Sequence, residues 1–141
     1  MTGNLDLQPL ATAIKTAIQA ELGSLATVYD IDDVPGTPGG SDPTGTPPAQ
    51  HVEIALNRRD AAPTRRGSGV VSVPDFELAT RCHAGSVGTV RELRRLVALA
   101  LEGRAQDLPD GGTAGPFVFA IGEPEDDDAT GWFGSDHWTF A

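Results

Sequence analysis

Residues 76–103, FELATRCHAGSVGTVRELRRLVALALEG, change from a hydrophobic period of two residues to one of three and four residues. The first part belongs to a longer predicted strand from Val70 to Cys82, in which Pro74 favours an edge position or a bend. The two faces of this strand carry Phe76, Leu78, Thr80 and Cys82 on one side and Glu77, Ala79, Arg81 and His83 on the other. A strand that leads directly into an amphipathic helix predicts a sheet with helices packed against it.

The helix in this segment has the strongest signals in the chain. Its apolar stripe is expected to face the core and consists of Val90, Leu93, Val97, Ala100 and Leu101, widened by Leu96. Thr89 and Glu92 match a capping box, in which each side chain bonds the backbone N–H of the other residue. Gly103 is the expected C-cap.

The preceding residues predict another helix and two more strands. The helix covers residues 6–22, with Asp6 as its N-cap and Gly23 at its end. Its expected core-facing residues are Leu7, Leu10, Ile14, Ile18, Leu22 and Leu25. Strands are predicted at residues 25–32 and 51–56, and long loops at about 34–50, which is rich in proline and glycine, and at 57–69.

After the second helix, the sequence predicts two strands joined by an acidic turn. The strands are Phe117–Ile121 and Gly131–Ala141, and the turn covers Glu123–Asp128. The resulting fold class is α+β, with a mainly antiparallel sheet of about four to five strands and two helices packed on one face. Residues 1–141 are expected to form a single domain.

Composition narrows the class of function. The net charge is −10, and it is distributed as an arginine-rich middle segment between acidic ends. A protein that binds nucleic acid through its phosphates normally carries a net positive charge, so this function is disfavoured. The single cysteine excludes an internal disulfide, and the sequence contains neither a secretory signal nor an apolar run long enough to span a bilayer.

No residue pattern predicts catalysis, a cofactor or a metal ion. The sequence lacks the glycine-rich phosphate-binding motifs, the EF-hand pattern and a serine nucleophile turn. His51, His83 and His137 lie far apart in sequence, and Cys82 and His83 point to opposite faces of a strand. We therefore expect no catalytic, cofactor-binding or metal-binding residues, although sequence alone does not exclude an acid pair of the glycosidase type.

Four arginines in the predicted loop at about 57–69 form the strongest candidate for a binding site. Arg58, Arg59, Arg65 and Arg66 lie in a connection bounded by glycine and proline, between two predicted strands. The interpretations are a solvated hairpin tip, an arm that docks on an acidic protein neighbour, or a nucleic-acid contact. The last is weakened because the cluster has no interleaved aromatic residues for base stacking. We expect a partner or subunit interface.

The whole chain resembles the tail terminator proteins (tail-completion or tail-to-head joining proteins) of long-tailed siphophages. The resemblance lies in the order of elements and in three stretches: the opening helix Leu7–Leu22 with the short strand and loop after it, the strand FELATRCHA that leads into the helix VRELRRLVALALEG, and the closing strand from Gly131-Trp132-Phe133 to Trp138-Thr139-Phe140. It is architectural and includes no catalytic motif.

The resemblance implies a structural virion protein rather than an enzyme. Such a protein caps the tail tube as a ring, which is expected to be a hexamer, and joins the tube to the head. Its partners would be further copies of itself, the tail tube protein and the head-closure or neck proteins. Genomic DNA would pass through the lumen without specific binding, and an acidic lumen would favour sliding. The expected location is the virion, after assembly in the host cytoplasm.

Two alternatives stay open. The chain could be another head–tail neck component, such as a head-closure or adaptor protein. It could also be a small bacterial α+β enzyme or ligand-binding domain, for which a buried pocket with convergent polar groups would be the evidence.

Overall fold

The computed structural model describes residues 7–58, 76–107 and 113–140. The elements in chain order are α1 (Leu7–Leu22), β1 (Thr27–Asp30), β2 (His51–Arg58), β3 (Phe76–Ala84), α2 (Val87–Leu101), β4 (Gln106–Asp107), β5 (Thr113–Ala114), β6 (Val118–Gly122), β7 (Asp126–Asp128) and β8 (Gly131–Phe140). Residues 34–50 contain neither helix nor strand, as predicted. Neither described helix is long and apolar enough to cross a membrane.

Six strands form one mixed sheet that is mostly antiparallel. Its order is β1-β2-β3-β8-β6, and β7 also pairs with β8. The pairing of β1 with β2 is parallel, whereas β2 with β3, β3 with β8, and both pairings of β6 and β7 with β8 are antiparallel. The short strands β4 and β5 pair separately. The α+β class is confirmed, and the sheet has one or two strands more than predicted.

The core lies between one face of the sheet and the two helices. The five main residues of the apolar stripe predicted for α2 are buried, and Leu96, which was predicted to widen it, is partly buried. In α1, Leu10, Ile14 and Ile18 are fully buried. The register of β2, β3 and β8 places their core-facing residues in rows, so that Leu56, Leu78 and Trp138 lie side by side. Side chains alternate between the two faces of each strand. The other face, named the uncovered face, has no helix packed on it among the described residues.

The N-cap of α2 differs from the prediction. Ser86 has extended backbone geometry (φ −147, ψ 153), and its side chain accepts a hydrogen bond from the backbone N–H of Thr89. The helix therefore begins one turn before the proposed Thr89–Glu92 capping box. Glu92 instead pairs with Arg95 at 2.7 Å on the helix surface. At the other end, Gly103 has a φ of +71, which supports its predicted role in ending the helix.

Other predicted details are corrected or lie outside the described residues. Leu25 is 38% exposed because the chain leaves the helix at Gly23, whose φ is +61. The acidic turn contains the short strand β7, which pairs with β8. Asp6 and residues 70–75, including Pro74, lie outside the described residues.

Replacing Leu93 with alanine is expected to lower the free energy of unfolding by about 2–4 kcal/mol, because a fully buried side chain would leave a cavity. Leu99 lies on the same helix and is 46% exposed, so Leu99→Ala is the matched control, with an expected change of about 0.5 kcal/mol or less. Urea denaturation measures both values. Equal changes for the two variants would contradict the packing described for α2.

Candidate functional site: the uncovered face of the sheet

Polar side chains from three neighbouring strands lie side by side on the uncovered face of the sheet. It is formed by alternate residues of β2, β3 and β8, namely His51, Glu53, Ala55, Ala79, Arg81, His83, Phe133, Ser135 and His137. A shallow depression of about 300 Å³ lies on this face, with Glu53, Ala79, Arg81 and His137 among its lining residues. It is open to solvent, unlike the enclosed pocket that a small-molecule enzyme normally provides.

Two histidines and one glutamate form the tightest polar cluster on this face. His51 and His83 are direct partners across β2 and β3. Their rings stack with centroids 4.3 Å apart and an interplanar angle of 7°. The carboxylate oxygen Oε2 of Glu53 lies 3.2 Å from Nε2 of His51 and 3.1 Å from Nε2 of His83. Glu53 reaches both rings because it lies two residues after His51, on the same face of the strand.

The cluster is largely shielded from water. The side chains of His51, His83 and Glu53 are 7%, 15% and 20% exposed. Nδ1 of His51 lies 2.7 Å from the carbonyl oxygen of Pro48, which can only accept, so this nitrogen carries the proton and donates it. Among the described residues, Nε2 of His83 is a buried nitrogen without a hydrogen-bond partner. The nearby Glu53 oxygen therefore makes a close polar contact with His83, but not a well-directed hydrogen bond.

The two rings also set the ionisation state of Glu53. Burial alone would raise the pKa of this carboxyl, but the adjacent rings of His51 and His83 outweigh burial and lower the pKa to about 2. Glu53 is consequently a carboxylate at neutral pH. The cluster thus presents a fixed negative charge beside two imidazole nitrogens.

Arg81 organises the neighbouring part of the face. Its Nε donates a hydrogen bond of 3.2 Å to Oγ of Ser135. Its guanidinium carbon lies 4.8 Å from the centroid of the Phe133 ring, within the range of a cation–π contact. His137, the third histidine, lies further along the face, with Nε2 4.0 Å from a Glu123 carboxylate oxygen. It is not part of the cluster.

The strand at the edge of the sheet exposes apolar side chains, of which Val118 and Ile121 pair with residues on the side of the uncovered face. Strand β6 is the last in the sheet order, and its residues Val118, Phe119 and Ile121 are 53%, 45% and 60% exposed. Three large apolar side chains exposed on one edge strand are typical of a surface that a protein partner covers.

The predicted arginine cluster stays a prediction. Arg58 is the last residue of β2. Arg59, Arg65 and Arg66 lie outside the described residues, so their distance from one another and from any partner is not tested.

Sequence reasoning missed the cluster of His51, Glu53 and His83. The expectation of no metal site rested on the distance between the histidines in sequence, an argument that fails for His51 and His83 because strand pairing places them side by side. The one available signal was His51-Val52-Glu53, which puts an imidazole and a carboxylate on the same face of a predicted strand. The separation of Cys82 from His83 was predicted correctly, since Cys82 is fully buried on the helix-facing side.

Cys82 is expected to resist thiol reagents in the native protein. Burial raises the pKa of its thiol to about 12, with a further contribution from the negative charge of Asp136, so the reactive thiolate is scarce at neutral pH. We expect labelling by a disulfide reagent to be on the order of 1000-fold slower in buffer than in denaturant, since only opened molecules react. Rapid stoichiometric labelling of the folded chain would contradict the burial of Cys82.

Comparison with known proteins supports the fold. No protein family model matches the chain, and no curated protein sequence matches it. A chain from a solved structure, described as the virion of a native gene transfer agent (GTA) particle, has the same fold with a TM-score of 0.59 at 19% sequence identity. The similarity covers 96% of this chain and 94% of that chain. At this identity the likeness shows a shared fold alone.

Proposed function

We propose that this chain is a structural protein of a phage-like virion, and specifically a tail terminator that caps the tail tube as a ring and joins it to the head. The observation that carries the proposal is the shared fold with a chain of a GTA virion over nearly the full length of both chains. Because the overlap is almost complete, it concerns the whole unit rather than a common substructure. The order of elements that the sequence shares with tail terminators supports the finer assignment.

The surface of the molecule suits assembly. The sheet has one uncovered face and an apolar edge strand, and both can be buried between neighbouring subunits. Complementary patches on one chain favour closed head-to-tail rings. The net charge of −10 suits a lumen through which DNA slides without binding. The proposed ring is a hexamer, and its further partners are the tail tube protein and the head-closure or neck proteins.

The proposed role requires no catalysis or cofactor. The chain would act in the virion, after assembly in the host cytoplasm. Another neck component, such as a head-closure or adaptor protein, would have the same need for subunit contacts. A tail terminator and another neck component differ in where the ring lies in the particle, so its position distinguishes the two roles.

The mass of the purified chain, with and without isolated tail tubes, tests this proposal. Analytical ultracentrifugation should show co-sedimentation with tubes, at about six copies per capped end, and the free chain can be a monomer or a ring. Binding along the whole tube, or no binding to tubes that carry free ends, would refute the tail terminator assignment. Binding to the head portal in place of the tube end would favour the other neck components.

Replacing Arg58, Arg59, Arg65 and Arg66 together with glutamine is expected to impair assembly and leave the isolated fold intact. Arginine suits acidic protein surfaces because its planar fork can make two hydrogen bonds to one carboxylate. An exposed pair contributes only about 0–1 kcal/mol, so all four must be changed. Complementation of particle assembly measures the effect, and circular dichroism checks the fold.

The nucleic-acid interpretation of these arginines makes a different prediction. It requires duplex binding by the wild-type chain that weakens steeply with salt. Salt-sensitive duplex binding that disappears in the four-glutamine variant, while that variant still builds complete particles, would overturn the assignment to a protein neighbour.

A further inference from the structure

We propose that His51, Glu53 and His83 form a binding site for one divalent transition-metal ion, with Zn²⁺ as the best-fitting candidate. The site is independent of the proposed role in the virion, and nothing in that role requires it. Two imidazole nitrogens and one carboxylate oxygen, all within 4.8 Å of one another, make a set of three donors. Two histidines and a glutamate are a ligand set that zinc sites use, with a water at the fourth position.

The distances between the donor atoms fit such an ion. Ligand atoms about 2.05 Å from a tetrahedral Zn²⁺ lie about 3.3 Å from one another. The two nitrogen–oxygen distances in the cluster are 3.2 and 3.1 Å. Two of the three donor–donor distances are therefore close to the separation that a tetrahedral ion requires. Imidazole donors favour zinc and its transition-metal neighbours over Mg²⁺ and Ca²⁺, which prefer oxygen ligands.

The contacts around the two histidines leave their Nε2 atoms available to bind a metal ion. Because Nδ1 of His51 faces the carbonyl oxygen of Pro48, Nε2 is the ring nitrogen that faces the Glu53 carboxylate. A hydrogen bond from the second ring nitrogen to a backbone carbonyl is the usual outer-shell support of a metal-bound histidine. Nε2 of His83 is buried and makes no hydrogen bond within the described residues.

A bound cation would offset the negative charge of the Glu53 carboxylate and give both ring nitrogens a partner. Nε2 of His51, Nε2 of His83 and the Glu53 carboxylate converge in a shielded site, where unpaired polar groups are costly. A metal ion would bind all three groups at once. In the stacked arrangement the ring lone pairs run side by side. Coordination therefore requires the two rings to tilt towards each other.

The expected role of the ion is structural. His51 is the first residue of β2, and His83 lies near the end of β3, so the ion would tie these two strand ends together. Through His51 it would also fix the end of the long loop, whose Pro48 carbonyl accepts the ring proton. Removal of the ion should loosen this corner without disturbing the core under α2.

Titration of the full-length, tag-free chain with Zn²⁺ tests the proposal. After dialysis against a chelator, isothermal titration calorimetry should give one Zn²⁺ per chain, and Co²⁺ should give the visible absorption of a tetrahedral complex. His83→Gln and Glu53→Gln should each weaken binding by more than about 100-fold, since loss of an outer-shell group alone costs up to that much. His137→Gln is the matched control, because His137 lies outside the cluster, and it should bind as the wild type does.

Two results would overturn the metal site. One is the absence of Zn²⁺ binding and of a Co²⁺ spectrum in the wild-type chain, which would leave the cluster as a polar contact between two strands. The other is equal binding by wild type and the folded His83→Gln and Glu53→Gln variants, which would place the ion elsewhere. If either variant fails to fold, the other variant and the wild-type Co²⁺ spectrum decide. All readouts use the free chain, so failure to form rings does not affect them.

Discussion

Replacing Arg94 with alanine is expected to lower the free energy of unfolding by about 3–5 kcal/mol, the usual cost of breaking a buried ion pair by removing one partner. Arg94 of α2 makes two hydrogen bonds to Asp136 of β8, from Nε at 2.9 Å and from Nη2 at 2.6 Å. Its Nη1 donates to Glu125 at 2.6 Å. Because the side chains of Arg94 and Asp136 are only 16% and 8% exposed, alanine would leave a shielded carboxylate without its partner.

Two glycines make the close approach of Arg94 possible. A Cβ atom at Gly134 would lie 2.8 Å from Nη1 of Arg94, and one at Gly122 would lie 2.7 Å from a carboxylate oxygen of Asp136. Side chains at these positions would displace the ion pair. The ion pairs of Arg94 with Asp136 and Glu125 therefore join α2 to β8 and the segment before it. They occupy space that a side chain at Gly122 or Gly134 would otherwise fill.

The neighbouring arginine supplies a control for this prediction. Arg95 pairs with Glu92 on the same helix, but the two side chains are 59% and 46% exposed. Arg95→Ala should change stability by about 0.5 kcal/mol or less, since exposed pairs contribute little. The double variant Arg94→Met/Asp136→Leu should lose less than Arg94→Ala, because the buried Asp136 carboxylate is removed together with its partner. Glu125 keeps Arg91 as a partner, with Nε of Arg91 3.3 Å from its carboxylate. Equal losses for Arg94→Ala and Arg95→Ala in urea denaturation would contradict the role of this network.

Replacing Trp138 with alanine is expected to lower the free energy of unfolding by about 3–5 kcal/mol, and only a small fraction of the chain would then stay folded at elevated temperature. Trp138 is 1% exposed at the centre of the sheet. Its indole N–H donates to the Thr80 hydroxyl at 3.2 Å, and its ring meets the Phe119 ring edge to face, with centroids 5.5 Å apart. The substitution would remove the packing and leave the Thr80 hydroxyl without this partner.

The more conservative Trp138→Phe separates these two contributions. It keeps most of the apolar volume and loses the hydrogen bond, so the expected loss is about 1–3 kcal/mol. Thermal denaturation followed by circular dichroism measures both variants. If the alanine variant melted at the wild-type temperature, Trp138 would not be a core residue.

The sequence predicted the parts of the fold that depend on local periodicity. The stripes of α1 and α2 and the alternation of β3 and β8 follow directly from where their apolar residues fall, because burial of one face dictates that spacing. The α+β class followed from the order of the elements. The start of α2 was misplaced because two hydroxyl residues, Ser86 and Thr89, are both good N-caps, and only the extended backbone at Ser86 distinguishes them.

The candidate site could not be predicted from the sequence, because its residues meet only through strand register and helix packing. His51 and His83 are 32 positions apart in sequence and meet only through the antiparallel register of β2 and β3. Arg94 and Asp136 likewise meet only after α2 packs against β8. Register is set by turns and by packing across the whole sheet, so these contacts could not be derived from spacing along the chain.

Electron cryomicroscopy of the neck of purified particles that contain this chain would show its position and copy number. We expect several copies of the chain, six if the ring is a hexamer, closed around the head-facing end of the tail tube with an open lumen. Each copy should bury its β6 edge strand or its uncovered sheet face against a neighbour. A single copy in an assembled neck, or particles with complete head–tail junctions that lack the chain, would contradict the tail terminator role.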